Sequence, residues 1–292
     1  MKLQFKDLLI NEGIDPKDVL FLRHVPQEAE LKKVLPLLAD EKPEIFNAYQ
    51  QTQNPRAEKA MLKAEYVASF IGHESGKALF VGLYKIKGYR PLSYNQYWEE
   101  PALLELKNKY GMEGMTNKQS TSLWFDLEPL KFYSEWKGKL VIRWSGERAF
   151  FQRSDSKENK FEILAITEDS ILIPGMPEWN QLILTWNELK ELPKKWYDKL
   201  SQWRGIYYIL DDSDGKGYVG SAYGKENLHG RWCNYAESGH GDNTKLLNRN
   251  PENFWFSILE RVSPDAEEVD VISKENTWKD RLHTRKFGLN GN

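Results

Sequence analysis

Along the first 60 residues the apolar positions recur at helical spacing. Phe5, Leu8 and Leu9 share one helix face, and Gly13 ends that helix. DVLFLRHV, over 18–25, is a nearly unbroken apolar run and predicts a short strand. Pro26 then opens a second amphipathic helix through Leu31, Val34 and Leu38, and Pro43 a third carrying Ile45, Phe46 and Tyr49. From about residue 65 the pattern turns β-rich. EYVASFIG (65–72) and KALFVGLYKIKG (77–88) are split by the turn-like HESG, which signals a hairpin. SLWFDLE, GKLVIRW, RAFFQR and KFEILAI follow between Gly, Ser and Asn clusters. Six short strands in this stretch predict a small barrel or a strongly curved sheet.

A connector comes next. Thr185 and Glu188 have capping-box spacing, and a helix opening at Pro193 carries Trp196, Leu200 and Trp203 at i, i+4, i+7. The domain boundary is placed here, giving an α+β chain of two domains. These are 1–180 (helices over 1–62, β-rich over 65–173) and 203–292, joined by a helical connector over 181–202. In the second domain, Gly-Ile-Tyr-Tyr-Ile (205–209) and Tyr-Val-Gly (218–220) flank DDSDGKG, a hairpin that brings Tyr207 and Tyr218 near each other. Two tyrosines on a hairpin are by themselves more often packing than chemistry. Arg231 and Tyr235 stand four apart in GRWCNYAE and share one helix face. NFWFSILE (253–260) predicts a third strand, KENTWKDRL (274–282) a helix with Glu275 near its start, and the chain ends FGLNGN with Asn290.

Composition narrows the class. With 292 residues, 40% hydrophobic and 29% charged, the chain has the balance of a soluble globular protein. No apolar run is long enough to span a membrane, and MKLQFKDLLINEGIDPKD does not read as a signal peptide. A single cysteine, Cys233, excludes an intramolecular disulfide and a multi-cysteine zinc site; a cytoplasmic location is the default expectation. Net charge is −2, and from Trp203 onward 12 Lys and Arg stand against 14 Asp and Glu. A nucleic-acid binder of this composition must concentrate positive charge locally or meet phosphate through a metal ion. There are 11 Trp, 14 Tyr and 13 Phe, most of them expected in the core and the rest available for base stacking.

Taken in order, the GIY at 205–207, the YVG at 218–220, the Arg of RWCNY, the Glu of KENTWK and the Asn of GLN resemble the GIY-YIG nucleases. That family includes homing endonucleases, the incision subunit of bacterial excision repair and some restriction enzymes. YVGSAYG with GRW and SGHGDN also resembles an uncharacterised bacterial branch of it. The resemblance covers about 90 residues and implies a three-stranded antiparallel sheet with flanking helices. It implies DNA as substrate and phosphodiester hydrolysis assisted by one Mg²⁺ or Mn²⁺. Tyr207 would be the general base, which requires its pKa to be lowered from about 10. Tyr218 would position the attacking water or the phosphate, and Arg231 would contact the scissile phosphate. Tyr235 would support them, Glu275 would hold the metal, and Asn290 would orient neighbouring groups. Lys225, His229 and His240 are further candidates to assist the base or touch phosphate, whereas Cys233 reads as packing. Cleavage of both strands would call for a homodimer.

The strand pattern over 65–173, with ALFVGLYKI and GKLVIRW, resembles the PUA-like barrels, including the EVE and ASCH groups. This implies recognition of RNA or of modified DNA bases, with Tyr84, Trp124, Phe125, Trp136 and Trp144 as candidates for a base-stacking pocket. Strand alternation requires some of these to be core instead. Three functions follow. The first is an endonuclease whose N-terminal domain selects the substrate, as in modification-dependent restriction or phage defence. The others are a structure-selective repair or recombination nuclease, and a catalytically silent nucleic-acid-binding module. Occupied catalytic positions disfavour the last.

Overall fold

The computed structural model describes residues 2–146, 149–156, 160–224 and 227–291. Its contacts divide the chain into two compact units, Met1–Pro174 and Gly175–Asn292.

The first unit runs α1 (Phe5–Asn11), β1 (Val19–His24), α2 (Ala29–Glu41), α3 (Pro43–Gln51), α4 (Pro55–Met61), β2 (Tyr66–Gly72) and β3 (Lys77–Ser93). It continues with α5 (Tyr94–Glu99), α6 (Pro101–Tyr110), β4 (Thr121–Pro129), β5 (Leu140–Arg143), β6 (Phe151–Arg153) and β7 (Ile163–Ile166). Proline opens α3, α4 and α6, where the missing amide costs no helical hydrogen bond. The Asn54 side chain caps α4 by accepting from the amides of Arg56 and Ala57. Every residue of β1 is buried, as its apolar run requires of a strand flanked on both sides. It pairs parallel with β2 and antiparallel with β6, and α2 to α4 form the crossover that a parallel pair needs.

The sheet therefore has seven strands, in the order β6-β1-β2-β3-β5-β7 with β4 also on β3. β3 pairs β5 near its start and β4 over its second half, and register shifts at Ser69/Phe70 and Ile86/Gly88 bend it. Among the described residues no ladder joins β6 to β7, so the sheet is curled and open where a six-stranded barrel was one expectation. The helices α4, α5 and α6 are further additions to the sequence reading. Inside the curl, Phe5 lies with its ring centroid 5.1 Å from that of Phe21 and 5.2 Å from that of Phe70, and Phe80, Phe132, Trp144 and Phe161 complete the core.

The second unit contains β8 (Ile183–Thr185), α7 (Trp186–Lys190), α8 (Lys194–Gln202), β9 (Arg204–Asp211) and β10 (Lys216–Ala222). α9 (Asn227–Ser238), β11 (Phe254–Val262), α10 (Glu268–Arg281) and α11 (Thr284–Phe287) follow. The sheet is antiparallel in the order β10-β9-β11-β8, so a fourth strand adds to the three expected. That strand comes from the stretch anticipated as a connector. Residues 181–202 supply Leu184, Trp186, Leu189 and Leu200 to the core of this unit. The Thr185–Glu188 capping box forms as its spacing predicted.

Strand alternation assigns two faces. Tyr207, Ile209 and Tyr218 face the core built with α7, α8 and α9, whereas Ile206 and Val219 face Val271 of α10. α10 begins at Glu268, so Glu275 stands in mid-helix rather than near a helix start. The first turns escaped the sequence reading because their apolar residues are largely exposed: Val269 by 76% and Ile272 by 39%, with only Val271 fully buried. Among the described residues no helix is long and apolar enough to cross a membrane.

Candidate active site

The hairpin of β9 and β10 sets Tyr207 opposite Gly220. A Cβ at position 220 would run into the Tyr207 hydroxyl, so the glycine is what lets the tyrosine ring lie across the edge strand. Tyr207 is fully buried there. Its hydroxyl lies 3.2 Å from that of Tyr235 and accepts a hydrogen bond from Arg231 Nε at 3.1 Å. Arg231 and Tyr235 share one face of α9, as their spacing predicted, with the Arg231 Cζ atom 5.3 Å from the Tyr235 ring centre. The Tyr218 ring is 6.4 Å from both Tyr207 and Tyr235 and remains half-buried. Among the described residues, the terminal nitrogens of Arg231 have no hydrogen-bond partner. A planar fork of donors is thus held at one edge by a phenol while its outer edge stays available.

The electrostatics revise one expectation. Burial pushes the Tyr207 hydroxyl well above the usual phenol range; Tyr218 adds to this, and Arg231 opposes without reversing it. Burial raises Tyr235 in the same way. Tyr207 is therefore a neutral hydroxyl at neutral pH, enclosed and committed to Arg231. The lowered pKa that a general base at this position would need is not present. Tyr218 is the hydroxyl of the three whose residue keeps solvent exposure.

Glu275 belongs to α10, on the other face of the sheet. Its carboxylate accepts a hydrogen bond from the Ser221 hydroxyl and pairs with Lys279 Nζ at 2.7 Å. The Lys279 side chain is 5% exposed and that of Glu275 is 15% exposed. Tyr223, just past β10, links the two faces. Burial raises its pKa first, a hydrogen bond to Glu268 and the charge of Glu275 add to that, and Arg231 pulls the other way. Asn290 is buried and clamps the backbone of Val219, accepting from its amide at 2.9 Å and donating to its carbonyl at 2.8 Å. It thereby fixes the edge strand between Tyr218 and Gly220.

Two of the lesser candidates separate from this cluster. His229 is buried against Tyr197, with ring centroids 3.7 Å apart, and its Nε2 lies 3.0 Å from the Cys233 thiol. His240 Nδ1 accepts from the Asp242 amide at 3.1 Å in a local turn. Lys225 lies outside the described residues. The five proposed stacking residues do not converge either. Trp144 and Phe125 are 1% and 0% exposed, in different cores; Tyr84 packs with Phe125, Trp136 stacks on Tyr133 at 4.4 Å, and Trp124 packs with α2, α3 and α6. Packing takes Tyr84, Phe125 and Trp144 into the cores, whereas Trp124 and Trp136 stay half-buried. Sequence reasoning also missed Ser221 and Lys279. Lys279 carried a signal, since it stands four residues after Glu275 on one helix.

Among the described residues no three or more His, Cys, Asp and Glu side chains come together as a metal cage. A lone carboxylate suits a hard divalent ion that keeps most of its ligands as water and phosphate oxygens, and each Glu275 oxygen retains a second lone pair beside its present partner.

No protein-family model and no curated protein matches the chain. Among solved structures, the chain is similar to a mutant of the catalytic domain of intron endonuclease I-TevI. Identity is 29% over 31% of this chain and 94% of that one, with a TM-score of 0.26.

Proposed function

We propose that the Gly175–Asn292 unit is a GIY-YIG nuclease that hydrolyses phosphodiester bonds in DNA, with Arg231 as its phosphate-binding group. One observation carries this reading: Arg231 Nε is fixed by a buried tyrosine hydroxyl while its two terminal nitrogens have no partner among the described residues. An arginine fork held in this way matches the oxygens of a phosphate and favours the charge that builds on them during attack. Tyr207 and Tyr235 hold the guanidinium in place, as neutral hydroxyls. Tyr218 orients the attacking water from the solvent side. Glu275, steadied by Ser221 and Lys279, would hold one Mg²⁺ or Mn²⁺. When bound, that ion supplies positive charge for the leaving oxygen. Asn290 keeps the strand carrying Tyr218 in register. With 12 basic against 14 acidic residues from Trp203 onward, the unit has little charge of its own for holding DNA. Substrate selection is therefore assigned to the Met1–Pro174 unit.

Supercoiled plasmid incubated with Mg²⁺ tests the reading. The wild-type chain should nick or linearise it, and EDTA or Glu275→Ala should abolish cutting while gel-shift binding persists. Full cutting by Glu275→Ala, purified free of host nucleases, would remove Glu275 from the site. DNA binding by the wild type without cutting in Mg²⁺ or Mn²⁺ would make the unit a silent binding module.

A further inference from the structure

The stacking pocket expected from the strand pattern does not form, but the Met1–Pro174 unit holds a different cavity, of 430 Å³, in the range of roughly 300–1,000 Å³ typical of small-molecule sites. It lies between the N-terminus of α2, the C-terminal end of α3 and the loop after α6, and none of its lining belongs to the Tyr207–Arg231 cluster. Tyr97, Met112 and Met115 give it flat and polarisable walls. The neighbouring Trp98 is locked, its indole N–H donating to the Met115 carbonyl at 3.0 Å and its ring packed edge-on against Tyr97 at 4.8 Å.

Two carboxylates stand among its polar groups. Glu58 accepts from the Ser122 hydroxyl at 3.0 Å and the Leu123 amide at 2.8 Å, both through Oε1. Glu28 accepts only from the Glu113 amide, at 3.1 Å, through Oε1; among the described residues its Oε2 has no partner. Tyr49 lines the same cavity and its hydroxyl, among the described residues, makes no hydrogen bond. Burial, and then the charge of Glu28, hold it above the usual phenol range, so it remains a donor. Among the described residues the lining contains Glu28 and Glu58 and no Lys, Arg or His, which repels phosphate and favours a ligand that brings N–H donors.

We propose that this cavity binds a nucleobase bearing an exocyclic amino group. The free oxygen of Glu28 accepts from the amino group and the Tyr49 hydroxyl donates to the adjacent ring acceptor. The ring lies against Tyr97 and the two methionines, and any sugar-phosphate stays outside. A free nucleoside and a base swung out of a strand present the same chemistry. The second source rests on the nuclease reading above; the first does not.

Calorimetric titration of the full-length chain in EDTA, where cleavage is suppressed, tests the proposal. The probes are adenosine, cytidine and a short single-stranded oligonucleotide, with ribose 5-phosphate as control. The wild type should bind the nucleosides and not the control. Glu28→Gln, which keeps the Oε1 acceptor for the Glu113 amide, and Tyr49→Phe should each raise Kd at least about tenfold with an unchanged melting temperature, since each removes one hydrogen bond of a buried polar ligand. Binding of the oligonucleotide through the same two residues assigns the cavity to a base within a strand, and binding of nucleosides alone assigns it to a free ligand. Absence of binding to every probe, or wild-type Kd values in both variants, overturns the proposal. These outcomes are independent of plasmid cutting. A chain that cuts but binds no probe loses only the pocket, and one that binds nucleosides but never cuts loses only the nuclease.

Discussion

In the Met1–Pro174 unit the buried rings are mostly Phe, and they pack on one another; Phe5 alone has four aromatic neighbours within 5.8 Å. In the Gly175–Asn292 unit Tyr207 and Tyr235 are buried beside half-buried Tyr218, and the two buried hydroxyls lead to an arginine. Both clusters read as aromatic-rich sequence. The difference lies in the polar atom. A Phe cluster is satisfied by contact alone, whereas each buried hydroxyl needs a partner, and here the chain of partners ends on a guanidinium with nitrogens to spare. An aromatic count thus marks a core, and hydroxyls wired to a charge mark a site.

The sharpest way to break this comparison is to truncate one ring of each kind. Trp144→Ala should cost about 3–5 kcal/mol in chemical denaturation, the usual range for a buried ring, because the indole is enclosed and hydrogen-bonded to the Ala149 carbonyl. A change within experimental error would mean that Trp144 is not core. Half-buried Trp124 should cost clearly less when replaced by Ala.

Next in size is a pH effect confined to the first unit. His24 is buried, hydrogen-bonded to the Ser69 hydroxyl at 3.0 Å and enclosed by Phe46 and Tyr49. Burial holds its pKa down to about 4, and the Gln50 side chain opposes without reversing it. The imidazole is therefore folded in its neutral form. Below the ordinary value near 6.5 the unfolded chain takes the proton first, so the stabilisation is complete above that pH and drains away as pH falls to about 4. The loss should approach about 3 kcal/mol at about 1.4 kcal/mol per unit. Urea titrations of the full chain between these limits should show the slope, and His24→Gln should flatten it. An equal slope in both proteins would contradict the assignment.

Smaller still is the effect of Tyr207→Phe on stability, about 1 kcal/mol, since one hydrogen-bond network loses a member and the ring stays packed. Cleavage should fall far more, about 100-fold, because Arg231 loses its anchor. Tyr218→Phe should separate the two effects further, with no loss of stability and a loss of rate. A Tyr207→Phe enzyme that cuts normally would detach the buried hydroxyl from the chemistry.

Much of this was legible in the sequence. The hairpin, the shared face of Arg231 and Tyr235, and the helices opened by Pro43 and Pro193 follow from spacing and local chemistry, and each forms. What escaped depends on contacts far apart in the chain. β8 is three residues long and exists through its pairing with β11. The parallel pairing of β1 with β2 is set by a crossover of more than 40 residues, which no local pattern reports. Asn290 was read as orienting the site, and its contact with the Val219 backbone, 71 residues away, shows how far apart in sequence the groups around Tyr218 lie. The burial of Tyr207 escaped for the same reason: it comes from α9 and β11 closing over it, and sequence spacing shows only the arginine.

The central claim is that Arg231 grips phosphate with a fixed, planar fork. Plasmid cleavage rates for wild type, Arg231→Ala and Arg231→Lys in the same Mg²⁺ buffer test it most directly. Lysine keeps the charge and loses both the Nε donor to Tyr207 and the paired terminal nitrogens. The Arg231→Lys rate should fall nearly as far as that of Arg231→Ala, about 100-fold or more below wild type, with DNA affinity little changed. A lysine variant that cuts at close to the wild-type rate would show that Arg231 supplies charge alone, and the Tyr207–Arg231 geometry would then have no part in the chemistry.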